Sequence, residues 1–185
     1  MQKRINKHIE KKDFVKVYLA DHNGLDLINF SGTIFAQNEE FIIMSSIYDF
    51  NEDGFVVISK SDVSEIKKGE NELFYDKILI SEGIKEKIEV RFLELDFKLG
   101  TYVEMFESLK NNGFPIIIEN LYGTKNIFLI GPIFKVKKKK VFVDYFNARG
   151  EYDLKPVAIK FKDITFFRFD DLYTNLFFKH SKRVD

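Results

Sequence analysis

The sequence predicts a mainly β protein built from two small five-stranded units in tandem, and three observations predict it. The chain repeats a pattern at an offset of 99 residues: SGTIFAQNEEFIIM surrounds Gly32, and IGPIFKVKKKKVFV surrounds Gly131. The flanks correspond as well. KKDFVKVYLADHNG (11–24) matches NNGFPIIIENLYG (111–123), VVISKSDVSEI (56–66) matches PVAIKFKDITFF (156–167), and NELFYDKIL (71–79) matches DDLYTNLFF (170–178). Within each copy, apolar residues alternate with polar ones at the period of a half-buried strand, and turn dipeptides recur at short, regular spacing.

Taken in order, residues 2–12 read as a short helix with Ile5 and Ile9 on one face. Phe14–Ala20 sets Val15, Val17 and Leu19 against Lys16 and Tyr18, a first strand, and Asn23-Gly24 favours a tight turn after it. A second strand spans Leu27–Phe35, and a polar corner, Gln37-Asn38-Glu39-Glu40, leads into a third over Phe41–Phe50. Asp53-Gly54 reads as the next turn, before strands over Phe55–Lys60 and Val63–Lys67. Residues 1–80 therefore form the first unit. In residues 81–100, Ile88, Val90 and Phe92, then Leu93, Leu95 and Phe97, alternate with charged residues, which predicts a bridging strand with a bulge at Phe92-Leu93.

The second unit, 101–185, opens on Thr101-Tyr-Val-Glu104, the pattern of a capping box, with Val103, Phe106 and Leu109 on one face of the helix and a stop at Asn112-Gly113. Its strands are predicted over Phe114–Asn120, Ile127–Lys135, Val141–Asn147 and Val157–Phe169, with turns at Tyr122-Gly123 and Arg149-Gly150. Asp170 is the expected N-cap of a last helix, Asp171–Lys179. Leu172, Leu176, Phe177 and Phe178 on that helix are a candidate docking surface, because barrels of about 65 residues bury little surface alone.

Composition narrows the function. The chain has 185 residues, 29 Lys and Arg against 29 Asp and Glu, and no cysteine, which excludes disulfides, thiolate metal ligands and a thiol nucleophile. No apolar run approaches the ~18 residues of a membrane-spanning helix, and Lys3, Arg4 and Lys7 have no apolar stretch behind them. A soluble cytoplasmic protein with no membrane partner is expected. Charge is uneven along the chain: residues 1–80 carry 10 Lys and Arg and 14 Asp and Glu, whereas residues 114–185 carry 14 and 8. Such asymmetry fits an electrostatic partner, head-to-tail self-association, or chance clustering on a solvated surface.

A short helix followed by five bent strands is the element order of the Sm-like superfamily of SH3-like small β-barrels. The first unit most resembles the bacterial Hfq family of RNA chaperones. FVKVYLADHNG (14–24) matches that family's strand ending at Asn-Gly, SGTIF (31–35) its Gly-x-Ile strand, NEEFIIM (38–44) its polar corner, and SKSDVSEI (59–66) its closing motif. The resemblance implies two tandem five-stranded barrels and an RNA-binding, oligomeric protein, with Glu39, Phe41 and Lys60 at the matching site positions. Ser61 stands where the family carries histidine, the second corner is all lysine, and Lys140 replaces the aromatic at Phe41.

No catalytic signature accompanies this pattern. His8, His22 and His180 have no second ligand at metal spacing and are expected on the surface, and neither a nucleophile elbow nor a phosphate-cradling loop is present. Glu39-Glu40, Glu52-Asp53 and Asp170-Asp171 sit at turns or a helix start rather than in apolar pockets. A non-enzymatic protein without metal or cofactor is expected. The binding candidates are Lys135, Lys137, Lys138, Lys139 and Lys140 with Tyr145, joined by Phe41 and Lys60 through the resemblance. Lysines neutralise phosphates and exposed aromatics stack on bases, so RNA or single-stranded nucleic acid is the expected ligand. The same lysines could equally keep a hairpin soluble and block edge pairing, and Phe41, Phe142 and Phe146 could fill the core. The alternative is a protein–protein adaptor, or a module whose acidic first and basic second barrels assemble into a homo-oligomer.

Overall fold

In the computed structural model, described over residues 2–20, 28–121 and 127–183, the chain forms two compact units, Met1–Leu95 and Asp96–Asp185. The predicted turns at Asn23-Gly24 and Tyr122-Gly123, and His22, lie outside the described residues. Among those described, no helix is long and apolar enough to cross a membrane.

The first unit runs α1 (Gln2–Glu10), β1 (Phe14–Leu19), β2 (Asn29–Gln37), β3 (Phe41–Tyr48), β4 (Asn51–Ser59), a 3-10 turn (Lys60–Asp62), β5 (Val63–Lys67), α2 (Glu70–Ser81) and α3 (Ile84–Glu94). Its strands lie antiparallel in the order β5-β1-β2-β3-β4, and no closed barrel is seen among the described residues. The alternation read from the sequence sets the register: Val15, Val17 and Leu19 are buried while Lys16 and Tyr18 are half-buried, with Val15 opposite Gly32 and Lys16 opposite Ser31. Gly32 lets β2 pass against β3, because a Cβ there would lie 2.8 Å from the Ser45 carbonyl carbon and closer still to its oxygen.

Three expectations are corrected in this unit. No bridging strand forms over residues 81–100: Ile84–Glu94 is the helix α3, and residues 95–100 are neither helix nor strand. Ile84, Ile88 and Phe92 recur at i, i+4, i+8, and this face, not the period-2 reading, meets the sheet: Ile88 is buried and Phe92 stacks on Phe35 with ring centroids 4.2 Å apart. Arg91 pairs with Glu52 at 2.7 Å and Lys12 with Glu89 at 2.6 Å, fastening the helix further. The turn expected at Asp53-Gly54 falls instead at Asp49-Phe50, whose φ values are 46° and 63°, while Gly54 forms a bulge within β4. Tyr75 stabilises that unusual backbone. Its hydroxyl accepts from Phe50 N–H at 2.6 Å, and its ring stacks on Phe50 at 4.1 Å and on Phe14 at 5.0 Å. Third, His8 is buried rather than at the surface, sharing a 2.8 Å hydrogen bond between its Nδ1 and Asp13 Oδ2.

The second unit runs α4 (Tyr102–Asn111), β6 (Ile116–Asn120), β7 (Ile127–Gly131), β8 (Ile133–Lys137), β9 (Lys140–Val143), β10 (Val157–Lys160), a 3-10 turn (Phe161–Asp163), β11 (Phe166–Phe169) and α5 (Leu172–His180). Its strands form the runs β11-β6-β7 and β10-β9-β8. Pro132 separates β7 from β8, which the sequence read as one strand, and the predicted strand over residues 157–169 is broken by the 3-10 turn. Backbone bonds from Asp144 N–H to Pro132 O (3.0 Å) and from Phe146 N–H to Ile130 O (3.3 Å) carry the chain after β9 along β7. Gly131 stands as Gly32 does, with a Cβ there 2.9 Å from the Asp144 carbonyl carbon.

The capping box of α4 forms as expected: Thr101 N–H donates to Glu104 Oε2 at 2.8 Å and Glu104 N–H to Thr101 Oγ1 at 3.4 Å. The N-cap of α5 is Asp171, one residue later than predicted. Its fully buried carboxylate accepts from Thr174 N–H at 2.8 Å and from the Thr174 hydroxyl at 2.6 Å. Asp171→Ala therefore strands two buried donors, and a loss of about 2 kcal/mol in urea unfolding is expected. Phe177 and Phe178 of the predicted docking surface pack on this unit's own Ile117, Ile130 and Phe146, while Leu172, Tyr173 and Leu176 stay exposed.

Candidate nucleic-acid interface

The lysine run occupies β8, the two-residue turn Lys138-Lys139 and the start of β9. Pairing places Lys137 directly opposite Lys140, and Lys140 opposite Lys160 on β10, so three lysines form one rung across three strands. The next rung on the same face is Lys135, Phe142 and Ala158. Val141, Val143 and Ile159 turn to the other face and are buried, as period 2 requires. Like charges directly opposite on neighbouring strands repel. Among the described residues no carboxylate lies within ion-pair distance of Lys135, Lys137, Lys138, Lys139, Lys140 or Lys160. The half-buried ring of Phe142 lies beneath two of them, with Lys137 Nζ 5.5 Å and Lys140 Nζ 5.0 Å from its centroid.

This tip borders an open groove of about 980 Å³ lined by Lys137–Lys140 together with Lys160, Phe161 and Lys162. Phe161 N–H donates to Lys139 O at 3.1 Å, which fixes the 3-10 turn against the lysine corner. The Phe161 ring is half-buried and backed by Tyr102, 5.0 Å away and near-parallel, and by Phe106 at 5.9 Å. A flat ring supported from behind and flanked by cations is the arrangement on which an unpaired base can stack while its phosphates meet lysine.

Of the predicted residues, Lys137, Lys138, Lys139 and Lys140 are brought together at the groove, and Lys135 lies one rung away beside Phe142. Tyr145 is not with them. It packs against the cluster of Ile117, Ile130 and Phe146. Phe41 is corrected from a base-stacking to a core residue, since only 2% of its surface is exposed. Lys60 belongs to the first unit, where its Nζ donates to Asn38 O, and burial, opposed by Glu39, lowers its pKa. Phe161, Lys160 and Lys162 were missed by the sequence reading, which treated them as one strand and did not see that a second turn meets the lysine corner. The signal available was their spacing: Phe161 and Lys162 fall where Lys60 and Ser61 fall in the matching segment.

Among the described residues no three His, Asp or Glu side chains converge on a metal-sized site. In comparisons with known proteins the chain matches no family model, no curated protein and no solved structure.

Proposed function

We propose that the chain is a non-enzymatic binding protein whose second unit grips RNA or single-stranded nucleic acid in the lysine-lined groove, and that its two units are divergent copies of one Sm-like plan. The observation that carries the binding reading is the rung Lys137–Lys140–Lys160 beside Phe142 and Phe161. Edge protection accounts for only part of this arrangement: Lys137 on β8 and Lys160 on β10 lie on the two edges of their sheet, whereas Lys140 sits on the central strand β9 and Lys138 and Lys139 form the turn. Together these lysines crowd one end of the sheet around two aromatic rings, at a cost in mutual repulsion that a polyanion would relieve.

The common plan is supported by matched hydrogen bonds. The corner carbonyls of Glu40 and Lys139, 99 residues apart, accept from the N–H that opens the following 3-10 turn, Lys60 at 2.7 Å and Phe161 at 3.1 Å. Asp13 N–H donates to His8 O at 2.9 Å, and Phe114 N–H to Leu109 O at 3.0 Å, closing the leading helix of each unit. The copies differ in charge at this corner. The first carries Glu39-Glu40 with Lys60 folded over it, and Asn38 Oδ1 accepts from the N–H groups of Glu40 and Phe41 at 2.9 and 2.7 Å. Acidic and closed by its own side chains, that corner is a poor seat for phosphate. The second corner is basic and open.

Filter binding of a labelled single-stranded RNA at low salt tests the reading. Serine at Lys137, Lys138, Lys139 and Lys140 together is expected to weaken binding more than tenfold. It should also flatten the salt dependence, by about 0.7 in log–log slope for each phosphate that no longer meets a cation. Phe161→Ala is expected to cost about 1–3 kcal/mol of affinity for the single strand and far less for a duplex. No binding, or binding indifferent to the lysines, removes the proposal.

A further inference from the structure

We infer that the first unit carries a separate ligand site, a cleft beneath α2 that accepts a small zwitterion of free amino-acid size. The inference rests on reading the two units as copies, because the second unit shows what the same place looks like when it is filled. There, Ile117 pairs with Ile130, and with Phe146 they form a packed apolar cluster against which Tyr152, Phe177 and Phe178 lie. The matching residues of the first unit are Lys16, which pairs with Ser31, and Ile47, 99 residues before Phe146. Isoleucine has become lysine, isoleucine has become serine, and phenylalanine has become the smaller isoleucine.

The outcome is a hollow of about 290 Å³ whose lining includes Lys16, Ser31, Ile47, Asp49, Asn71 and Tyr75. The fold accommodates three packed hydrophobics at this place, so the hollow is not imposed by the backbone. Its charges are left uncommitted. Lys16 is half-buried with no carboxylate at ion-pair distance among the described residues, and across β5 it faces another cation, Lys67. Asp49 is exposed at the rim of the cleft and has no cation partner among the described residues, and its place is fixed by the turn that Tyr75 holds. Glu72 also lines the cleft, but its carboxylate caps α2 by accepting from Gly69 N–H at 2.7 Å. A half-buried cation within the cleft and an exposed carboxylate at its rim, with Ser31 and Asn71 also in the lining, match a ligand that carries a carboxylate and an ammonium group. The size is at the small end of ligand pockets, and a lining that is not net basic disfavours a polyanion.

Thermal unfolding of the full chain with each of the twenty free L-amino acids at 10 mM, and with inorganic phosphate, tests this. At least one amino acid is expected to raise the melting temperature by several degrees, and phosphate is not. The variant K16I/S31I/I47F, which installs the second unit's residues, is expected to abolish that shift while leaving RNA binding unchanged. Asp49→Asn tolerates the left-handed backbone and leaves the core untouched, and it is expected to weaken the amino acid at least tenfold. The inference is overturned if no amino acid shifts the wild-type protein, if phosphate shifts it equally, or if Asp49→Asn responds like wild type. Failure of the shared plan reads differently, as a triple variant that no longer folds, and failure of the RNA reading appears only in filter binding.

Discussion

Gly32→Ala is expected to unfold the first unit, and Gly131→Ala to do the same to the second. The added methyl at Gly32 would overlap the Ser45 carbonyl, 2.8 Å from its carbon, and at Gly131 it would overlap the Asp144 carbonyl, 2.9 Å from its carbon. Neither obstacle is the movable end of a side chain. Each is main chain, Ser45 within β3 and Asp144 just after β9, held in place by bonds such as Thr33 N–H to Ser45 Oγ at 2.9 Å and Asp144 N–H to Pro132 O at 3.0 Å. Gly131 adds a φ of 151°, which L-residues rarely adopt. Overpacking against side chains costs about 1–3 kcal/mol, and displacing a paired strand exceeds that, a large share of the roughly 5–15 kcal/mol that holds a domain folded. Urea unfolding with amide-exchange readout checks it: protection should vanish from β1–β5 in one variant and from β6–β11 in the other. Two alanines 99 residues apart with equal effects would show one bend built the same way twice. A tolerated alanine at either position would break that equivalence.

Those two glycines were legible because a close strand crossing leaves a mark in sequence: a small residue within an apolar run, followed at fixed distance by a corner. Strand alternation was legible for the same reason, since Val15, Val17 and Leu19 report their own burial. What the sequence hid depended on partners far along the chain. Residues 84–94 carry a period-2 and a period-4 pattern at once, and only the sheet that receives Ile88 and Phe92 selects the helix. Asp49-Phe50 has no turn signature, because Tyr75, 25 residues on, supplies the stabilisation that glycine would otherwise give. The lysines of the groove were visible as a run. Phe161 was not, for its place beside Lys139 comes from the bend of a 3-10 turn that composition does not encode. Phe41 and Phe142 looked alike in sequence, but Phe41 opens a strand buried residue after residue from Phe41 to Ile47, while Phe142 lies on one that keeps strict alternation.

Asp13→Ala is expected to cost the first unit about 3 kcal/mol, and its pH dependence separates this loss from ordinary packing. The Asp13 carboxylate is buried, accepts from Lys68 Nζ through Oδ1 and shares a 2.8 Å bond with His8 through Oδ2. Burial alone would raise its pKa, but the bonds and charges of Lys68 and His8 prevail and hold it below the ordinary 3.8. A carboxyl with a lowered folded pKa stabilises the fold fully above its unfolded value and loses that contribution as pH falls through the folded one. The urea midpoint of the wild-type protein should therefore drop as pH falls below about 4, and the part of this drop due to Asp13 should be missing in the variant. The second unit supplies the control. Where the first has His8, Asp13 and Lys68, the second, 101 residues on, has Leu109, Phe114 and Phe169, with the two rings edge-on at 5.9 Å. Buried ion pairs are commonly matched or exceeded in stability by apolar residues of similar size. The replacement H8L/D13F/K68F should thus retain wild-type stability at pH 7, relieve the His8 Nε2 that is buried without a partner among the described residues, and remove the acid-sensitive step. If the triple variant is as unstable as Asp13→Ala alone, the charged cluster shapes the first unit in a way its apolar counterpart cannot replace.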